Sequence, residues 1–330
     1  MPRLLVLFAA ILFGTTGTAQ ALGPDASPLA VGAARIIVGG ALLLLAARLL
    51  GAALPRDRRA VAGIAVGIAI YQLAFFAAVD LTGVAVGTVV AIGTGPAVAG
   101  GLGALLNGEH LTRRWAAATS LAGVGVALLV LGGGSDASID PLGIVLAVIA
   151  GAGYGTYTVV TKGQLQRGAS PEGVMAAGFA SAGVLLLPVL LLAGPAFLAE
   201  PGGLALALYL GAIPTALAYV LFARGLRHLS SGETATIVLA EPVTAALLGV
   251  TILNETPGAV GVIGAALVLA GLAVLALPGR AAPSPGARVQ SGNSLTLLPP
   301  HESPAAARLR RRSARHRPAR PDPRGRAARR

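Results

Sequence analysis

The chain has 330 residues, of which 55% are hydrophobic and only 12% are charged, whereas charged residues make up about 25% of an ordinary soluble domain. This composition argues against a soluble protein and indicates a membrane protein. The absence of cysteine excludes disulfides, thiolate metal sites and cysteine nucleophiles. The formal net charge of +12 would favour nucleic acid as a partner if it were spread over the chain, so its location decides what it means.

Ten apolar runs are long enough to cross a bilayer, whose hydrocarbon core of about 30 Å requires about 20 apolar residues in a helix. In chain order these runs are 4–22, 29–50, 60–79, 83–106, 112–131, 141–163, 171–193, 201–223, 232–254 and 257–278. They are too long and too uniformly apolar for the alternating strands of a membrane barrel. Because hydrocarbon offers no water to free peptide groups, the sequence predicts an all-α polytopic membrane protein with ten transmembrane helices.

Local signals mark several helix starts, each joining a capping side chain to a proline at the first helical position. The pairs are Ser27-Pro28, Asp140-Pro141, Ser170-Pro171 and Thr256-Pro257. The third and fourth runs are separated only by DLTG at 80–83, so a fused or re-entrant pair is an alternative to two separate spans. The first run, which ends near AQA at 19–21, resembles a cleavable signal peptide. We interpret it as a helix because its removal would leave nine spans.

Most of the positive charge lies in the C-terminal segment 279–330, which holds 13 arginines and only two acidic residues, Glu302 and Asp322. This segment is rich in Pro, Ala, Ser and Arg and has no hydrophobic period, so we expect a disordered tail. The arginines alternate with no aromatic residues that could stack on bases. We therefore expect loose contact with anionic lipid and no specific binding of nucleic acid.

The charges of the remaining chain alternate between the two ends of the predicted helices. Basic residues occupy the N-terminus and alternate connections: Arg3; Arg48, Arg56, Arg58 and Arg59; Arg113 and Arg114; Lys162 and Arg167; Arg224 and Arg227. The opposite connections carry acidic residues instead: Asp25, Asp80, Asp136, Asp140, Glu200 and Glu255. The positive-inside rule then predicts a multi-pass protein of the plasma membrane with both termini cytoplasmic.

The chain also contains an internal repeat. The segment GTGPAVAGGLGALLNGEHLT at 93–112 parallels LAEPVTAALLGVTILNETPG at 239–258 with an offset of 146, and ILFGTTGT at 11–18 parallels AGYGTYTV at 152–159 with an offset of 141. The repeat predicts one five-helix domain over 1–134 and a second over 135–278. Because five is odd, the second copy enters the membrane inverted, an arrangement typical of secondary transporters with a site near the midplane.

These motifs resemble the EamA type of the drug/metabolite transporter superfamily. The resemblance covers about residues 4–278 and is carried by Pro96 with Gly108-Glu109, by Pro242 with Asn254-Glu255, and by Arg35. It implies ten helices in two repeats and transport of small metabolites such as amino acids, nucleobases or drug-like compounds, mostly outward. The sequence departs from the family where Phe13 and Tyr154 replace a frequent Trp, and where Asn254 replaces a frequent Gly.

Two charged side chains lie deep within the predicted spans, Arg35 and Glu241. Each costs about 2.5–3.5 kcal/mol at the bilayer centre on insertion scales, so each needs compensation. Their estimated depths permit a salt bridge. In one interpretation they pair to neutralise each other; in the other, Arg35 binds a substrate carboxylate and Glu241 binds the substrate or a proton. The second interpretation suggests the hypothesis of proton coupling.

Prolines and polar residues within the spans complete the candidate cavity. Pro96 and Pro242 remove backbone hydrogen bonds and free carbonyl groups toward a cavity, unless they are passive kinks. All five tyrosines fall within spans, where a hydroxyl needs a partner, so we favour a cavity lining over lipid exposure. The candidate substrate-binding residues are Thr15, Gln20, Arg35, Tyr71, Phe75, Pro96, Tyr154, Tyr157, Tyr219, Glu241 and Pro242.

No nucleophile motif, phosphate loop, histidine cluster or aspartate-rich pair is present, so we expect neither an enzyme nor a cofactor or metal. The sequence predicts a secondary transporter, an exporter of amino-acid-like or drug-like solutes that works by alternating access and is driven by an ion or solute gradient. A uniporter or exchanger of another metabolite class and a non-transporting scaffold are the alternatives. The substrate, the coupling ion and the oligomeric state stay open, a homodimer included.

Overall fold

The computed structural model describes residues 1–132, 140–254 and 258–277. Ten of its helical segments are long and apolar enough to span a membrane, which confirms the predicted number. These segments are Pro2–Ala21, Pro28–Leu49, Arg58–Gly83, Val86–Asn107, Arg113–Leu131, Pro141–Gln166, Pro171–Ala193, Pro201–Leu226, Ser231–Ile252 and Ala259–Ala276. The predicted tail at 279–330, Glu255 and the Thr256-Pro257 pair lie outside the described residues.

The helices do not map one to one onto the spans. They are α1 (Pro2–Ala21), α2 (Pro28–Leu49), α3 (Arg58–Asn107), α4 (Arg113–Leu131), α5 (Pro141–Gln166), α6 (Pro171–Ala193), α7 (Pro201–Gly211), α8 (Ala218–Leu226), α9 (Ser231–Val238), α10 (Glu241–Ile252) and α11 (Ala259–Ala276). The third and fourth spans are joined in α3, the eighth span is divided between α7 and α8, and the ninth is divided between α9 and α10.

A glycine marks the point where α3 changes from the third span to the fourth. Gly83 has φ 78° and ψ 160°, a backbone conformation that L side chains rarely adopt, and it separates the third span, Arg58–Gly83, from the fourth, Val86–Asn107. The structure therefore has two separate spans here, as the count of ten requires, and the chain reverses direction between them: a Cβ on Gly87 would lie 3.2 Å from Val79 Cα.

The predicted helix starts are confirmed where they are described. Asp140 Oδ1 accepts hydrogen bonds from Leu142 N at 2.8 Å and Gly143 N at 3.1 Å, directly before the first turn of α5. Ser170 Oγ accepts one from Gly173 N at 3.2 Å before α6. Ser27 precedes α2 without a side-chain cap bond, with proline at the helix start. Amides that would otherwise lack partners in the first turn are thereby satisfied.

The eighth span contains a π-helical segment, Ala212–Leu217, between α7 and α8. Pro214 lies within it and is buried. Proline has no amide proton and its ring collides with the preceding turn of an α-helix, so a locally wider turn accommodates it without ending the span.

The helices of the two halves pack in a pattern that matches a twofold relation. The second span, α2, packs on the seventh, α6, and the fifth, α4, packs on the tenth, α11. The first span packs on the eighth and ninth, and the sixth, α5, packs on the third and fourth within α3. The first two pairings join a span to its counterpart in the other half. The contact of the first span with the eighth and ninth corresponds to the contact of the sixth span with the third and fourth. Duplicated halves of five helices require this pattern.

One close helix contact occurs twice, once in each orientation of the repeat. A Cβ atom on Gly14 would lie 2.6 Å from Thr244 Cβ, and one on Gly155 would lie 2.6 Å from Val98 Cγ1. Gly14 and Gly155 differ by the offset of 141, and Val98 and Thr244 differ by the offset of 146. The two offsets read from the sequence therefore relate the two contacts, and the same glycine-mediated helix crossing occurs in both.

The ends of the corresponding helices α3 and α10 also share a backbone conformation. Gly108 follows α3 with φ 66°, and Asn254 follows α10 with φ 57°. Asn254 is the only non-glycine residue with positive φ among the described residues. Asparagine is one of the few side chains that tolerate this left-handed conformation, so Asn254 can stand where the first half has Gly108.

Candidate functional site

The ninth span is interrupted next to Glu241. At the end of α9, Leu239 N and Ala240 N donate to Thr236 O and Ile237 O, both at 3.1 Å, three residues back instead of four. α10 then begins at Glu241 with Pro242 in its first turn, where a missing amide proton costs little. The ninth span, Ser231–Ile252, agrees with the predicted kink: Leu239 and Ala240 keep helical backbone angles between α9 and α10, and Glu241 is the first residue of α10. A helix N-terminus stabilises a nearby negative charge.

Glu241 is partly buried and contacts the first helix. Gly14 of α1 packs against this turn, since a Cβ added there would lie 2.8 Å from Glu241 O. The carboxylate interacts electrostatically with Arg35 and with Tyr71 and Tyr219. It therefore faces the interior of the bundle, toward the candidate residues of α2, α3 and α8.

Arg35 of α2 does not pair with Glu241, although their depths in the membrane permit a salt bridge. Its Nη2 donates a hydrogen bond to Gln72 Oε1 of α3 at 3.0 Å. Among the described residues, no carboxylate lies within 4.0 Å of the Arg35 guanidinium, so the direct salt bridge with Glu241 is not formed in this structure. Two opposite charges thus lie within electrostatic reach of each other without pairing.

A continuous chain of aromatic rings connects five helices around these charges. From α3 to α8 the ring centroids lie 5.9 Å apart for Phe75 and Tyr71, 6.1 Å for Tyr71 and Tyr154, 5.3 Å for Tyr154 and Tyr157, and 6.4 Å for Tyr157 and Tyr219. Tyr219 also contacts Phe13 of α1 at 4.9 Å and Phe179 of α6 at 4.2 Å. We call these residues the aromatic chain. Such spacings are those of favourable aromatic pairs.

The hydroxyl groups of the aromatic chain lie inside the bundle and not at its lipid surface. Tyr157 is fully buried, and its hydroxyl lies 3.1 Å from that of Tyr219 in a hydrogen bond for which either atom can be the donor. Since Tyr157 and Tyr219 lie on different helices, the bond joins α5 to α8. Tyr209, by contrast, is 38% exposed. Four of the five tyrosines thus face inward.

Pro96 is not the structural equivalent of Pro242, although the repeat aligns them. α3 continues through Pro96 without a break. At the preceding residue, Gly95, a Cβ would lie 2.8 Å from Tyr154 Cδ1, so the tyrosine ring occupies the place of a side chain. The repeat counterpart of Gly95 is Glu241. At these two equivalent positions, the second half has the carboxylate of Glu241, and the first half has a glycine covered by the ring of Tyr154.

Two candidates from the first helix lie apart from this cluster. Thr15 accepts a hydrogen bond from the Tyr209 hydroxyl at 3.0 Å. Gln20 lines a cavity of about 400 Å³ at the connection between α1 and α2, together with Asp25, Pro28 and Leu206. Neither Arg35 nor Glu241 lines this cavity, so Gln20 is separated from the two intramembrane charges.

The sequence interpretation missed Gln72, which is 2% exposed and is the direct partner of Arg35. Its Nε2 is buried and lacks a hydrogen-bond partner among the described residues, as does Thr215 Oγ1 of the π-helical segment. The available signal was a single amide side chain in a span that is otherwise apolar. Buried polar atoms without partners are uncommon and are expected where a ligand or water completes the bonding.

The ends of the helices that carry the basic residues are joined across the two halves. Arg3 Nε lies 2.7 Å from Glu233 Oε1, and Asn107 Nδ2 donates to Val159 O at 2.9 Å. Within the second half, Lys162 is 7% exposed, and its Nζ donates to Leu226 O at 2.9 Å, where the carbonyls at the end of α8 lack helical partners. Polar contacts therefore join helices at this end of the bundle.

The side chains of the site are of kinds that bind charged and aromatic groups. Within the described residues there is no group of three or more histidine, cysteine or acidic side chains that could hold a metal ion. The cluster instead combines a guanidinium, a carboxylate and a row of tyrosines. These groups can bind a carboxylate, a cation or proton, and an apolar or aromatic body.

Comparisons with known proteins identify the family. The EamA-like transporter family matches residues 2–131 and 141–277. The uncharacterized transporter YwfM of Bacillus subtilis (strain 168) is 40% identical over 279 residues, which cover 82% of this chain and 92% of that protein. A probable terminal-alkyne amino-acid exporter of Streptantibioticus cattleyicolor is 30% identical over 248 residues, covering 73% of this chain and 81% of the relative.

A solved crystal structure has the same fold, with a TM-score of 0.74 at 21% identity, over 83% of this chain and 96% of that one. The family match includes nearly all of the described residues and occurs twice, in agreement with the duplicated halves. Its members are transporters and not enzymes. The chain belongs to the EamA-like transporter family.

Proposed function

We propose that this transporter exports amino-acid-like or drug-like solutes by alternating access. The observation that carries the proposal is that Arg35 and Glu241, two opposite charges within the spans, lie within electrostatic reach of each other beside the aromatic chain and form no salt bridge. Burying two charges that do not neutralise each other costs several kcal/mol, and a bound solute with complementary charges offsets that cost.

The arrangement fits a zwitterion with an apolar or aromatic body. Arg35 offers a planar set of donors to a carboxylate. Glu241 accepts an ammonium group or a proton, and the aromatic chain supplies apolar surface together with the hydroxyls of Tyr71, Tyr157 and Tyr219. The relative from Streptantibioticus cattleyicolor, described as a probable terminal-alkyne amino-acid exporter, supports the same substrate class.

Alternating access is the mode of transport that the duplicated halves and the contacts between them support. The end with the basic residues is tied across the halves by Arg3 with Glu233 and by Asn107 with Val159. A cavity of about 400 Å³ lies at the other end, beside Gln20 and Asp25, and one of about 350 Å³ lies at the periphery of the basic end, beside Glu172 and Arg224. We infer a conformation closed on the basic side, and a second conformation in which these contacts break as the halves rock about Glu241.

The further parts of the proposal concern topology and coupling. The positive-inside rule places the basic ends, and with them both termini, in the cytoplasm of a cell bounded by the plasma membrane. The five-helix domains extend over 1–134 and 135–278, followed by the basic tail. Protonation of Glu241 in exchange for the solute would couple outward transport to inward proton flow.

Transport into proteoliposomes tests the proposal. The probes are L-propargylglycine, L-leucine and L-phenylalanine, each with and without an imposed pH gradient, and empty liposomes are the control. The expected result is saturable flux of one or more probes that a pH gradient accelerates. Flux indifferent to pH would remove the proton coupling and favour a uniporter or exchanger. No flux of any amino acid would overturn the assignment of amino-acid-like substrates.

A further inference from the structure

The hydrogen bond between Gln72 and Arg35 is the starting point. Gln72 Oε1 accepts from Arg35 Nη2 at 3.0 Å, and this is the only hydrogen bond of Arg35 in the described part of the chain. Arginine has five N–H donors in a planar fork, so a single bond fixes the plane of the guanidinium and leaves its other donors free. The orientation of Arg35 therefore depends on Gln72.

The chemical nature of the acceptor matters as much as its position. A carboxylate at residue 72 would also hold the guanidinium, but it would neutralise its charge. A carboxamide is uncharged, so it orients Arg35 and leaves the full positive charge available for a second, anionic partner. Glu241 is the nearby carboxylate, and it is not bonded to Arg35.

A glycine on the neighbouring helix gives Gln72 its place. Gly32 lies on α2, three residues before Arg35, and a Cβ on Gly32 would overlap Gln72 Nε2 and lie 2.7 Å from Phe76 Cε2. Gln72 is buried against this glycine, and its Nε2 has no hydrogen-bond partner among the described residues. Leaving the buried Nε2 amide group without a partner is costly. The hydrogen bond that Oε1 accepts from Arg35 explains why a glutamine nevertheless occupies this position.

We propose that Gln72, supported by Gly32, is a positioning residue that presents the guanidinium of Arg35 to the carboxylate group of the substrate. This inference rests on the proposed function, and it adds the element that selects carboxylate-bearing solutes over their uncharged analogues. Gln72 is uncharged, so it adds no charge of its own to the binding site.

Transport kinetics in proteoliposomes test the role of Gln72. Each amino acid of the panel is compared with its carboxamide, which lacks the negative charge. In Gln72→Leu the KM for the amino acid should rise about tenfold, which corresponds to about 1.4 kcal/mol. The maximal rate for the amino acid and the KM for the carboxamide should each stay within about twofold of the wild-type value, a difference of only a few tenths of a kcal/mol. Gln72→Glu keeps an acceptor but cancels the charge, so it should lose the preference for the acid as well.

Gly32→Ala provides an independent arm, because it displaces the Gln72 amide without changing Gln72 or Arg35. It should reproduce the KM increase of Gln72→Leu. The matched control is Gly123→Ala on α4, where an added Cβ meets no atom within 4 Å, so its kinetics should equal those of the wild type.

The outcomes separate this inference from the proposed function. If the wild-type protein transports no carboxylate, the proposed function fails and the role of Gln72 fails with it. If the wild type transports carboxylates and Gln72→Leu leaves their KM unchanged, the positioning role alone is overturned. An equal loss for acid and carboxamide would likewise overturn it, since that result indicates a packing role.

Discussion

The carboxylate of Glu109 caps the first turn of α9. Glu109 Oε2 accepts a hydrogen bond from Ser231 N at 2.8 Å, and Oε1 accepts one from Ser231 Oγ at 3.0 Å. Glu109 follows α3 in the first half and Ser231 begins α9 in the second, so the contact joins the halves next to the short helix that ends at the break before Glu241. Charge-assisted bonds of this kind are stronger than those between neutral groups.

We expect Glu109→Gln to open the basic end of the bundle more often. A hydrogen bond to a charged group contributes about 1.5–3 kcal/mol, and an amide retains only part of it. Because the chain has no cysteine, a single reporter is free of background. Ala235→Cys on α9 is suitable, since Ala235 is 1% exposed. Its rate of reaction with a maleimide in lipid nanodiscs should rise about tenfold, the factor that corresponds to about 1.4 kcal/mol.

The matched control for this experiment is Glu172→Gln. Glu172 lies 2.6 Å from Arg224, but both residues belong to the second half, so the pair does not cross between the halves. Labelling at Ala235→Cys should stay at the wild-type rate in this variant. Equal labelling of the Glu109 and Glu172 variants would contradict a closing role for Glu109.

The ion pair between Arg3 and Glu233 should contribute to the same closure, but less. Their side chains are 41% and 19% exposed, and partly exposed pairs are worth about 1 kcal/mol or less. Arg3→Glu should therefore raise the labelling rate several-fold at low salt and less at high salt. The double variant Arg3→Glu with Glu233→Arg should restore the wild-type rate. Failure of the double variant to restore it would show that the pair itself does not close the end.

Neutralising Glu241 should separate proton coupling from substrate exchange. Glu241→Gln keeps the size of the side chain and removes its charge at the start of α10. We expect loss of the acceleration by a pH gradient, with exchange of internal for external substrate retained. The measurement is gradient-driven uptake beside counterflow on the same liposomes. Full acceleration in the variant would contradict a proton-carrying role for Glu241.

Asp57 predicts a pH dependence of stability outside the spans. The Ala60 amide, which donates to Asp57 Oδ1 at 3.1 Å, is the main cause that lowers the pKa of Asp57, and Gln164 and Arg167 add to it. A lowered pKa in the folded state stabilises the protein above the ordinary pKa of aspartate, and this contribution is lost as pH falls through the lowered value.

Asp57→Asn keeps the capping oxygen but cannot titrate, so the thermal midpoint of this variant should depend less on pH in the acidic range than that of the wild type. Thermal unfolding in detergent across that range is the measurement. Parallel curves for the two proteins would contradict the assignment to Asp57.

The spans and the repeat could be predicted because they depend on local composition and on spacing along one chain. The side chains of Ser170 and Asp140 are typical N-caps and so predict helix starts. The offset that aligns Gly14 with Gly155 can be read from the sequence alone. The partners within the site depend instead on how helices rotate against one another. The depths of Arg35 and Glu241 permitted a salt bridge, but the rotation of α2 turns Arg35 to Gln72.

The two repeated prolines illustrate the same limit. Pro242 begins a new helix, whereas Pro96 stays within α3, although the sequence aligns them. What differs is the packing around them: Tyr154 covers the residue before Pro96, and Gly14 of α1 packs on the turn at Glu241. Sequence spacing identifies equivalent positions, but only the contacts decide whether the helix is interrupted.

The most direct test of the account is the ratio of amino-acid flux to carboxamide flux in proteoliposomes with wild-type protein and with Arg35→Gln. If Arg35 binds the carboxylate of the solute at the site shared with Glu241 and the aromatic chain, the wild type should prefer the acid and the variant should lose that preference. An unchanged ratio in Arg35→Gln, with transport intact, would contradict the assignment of the site.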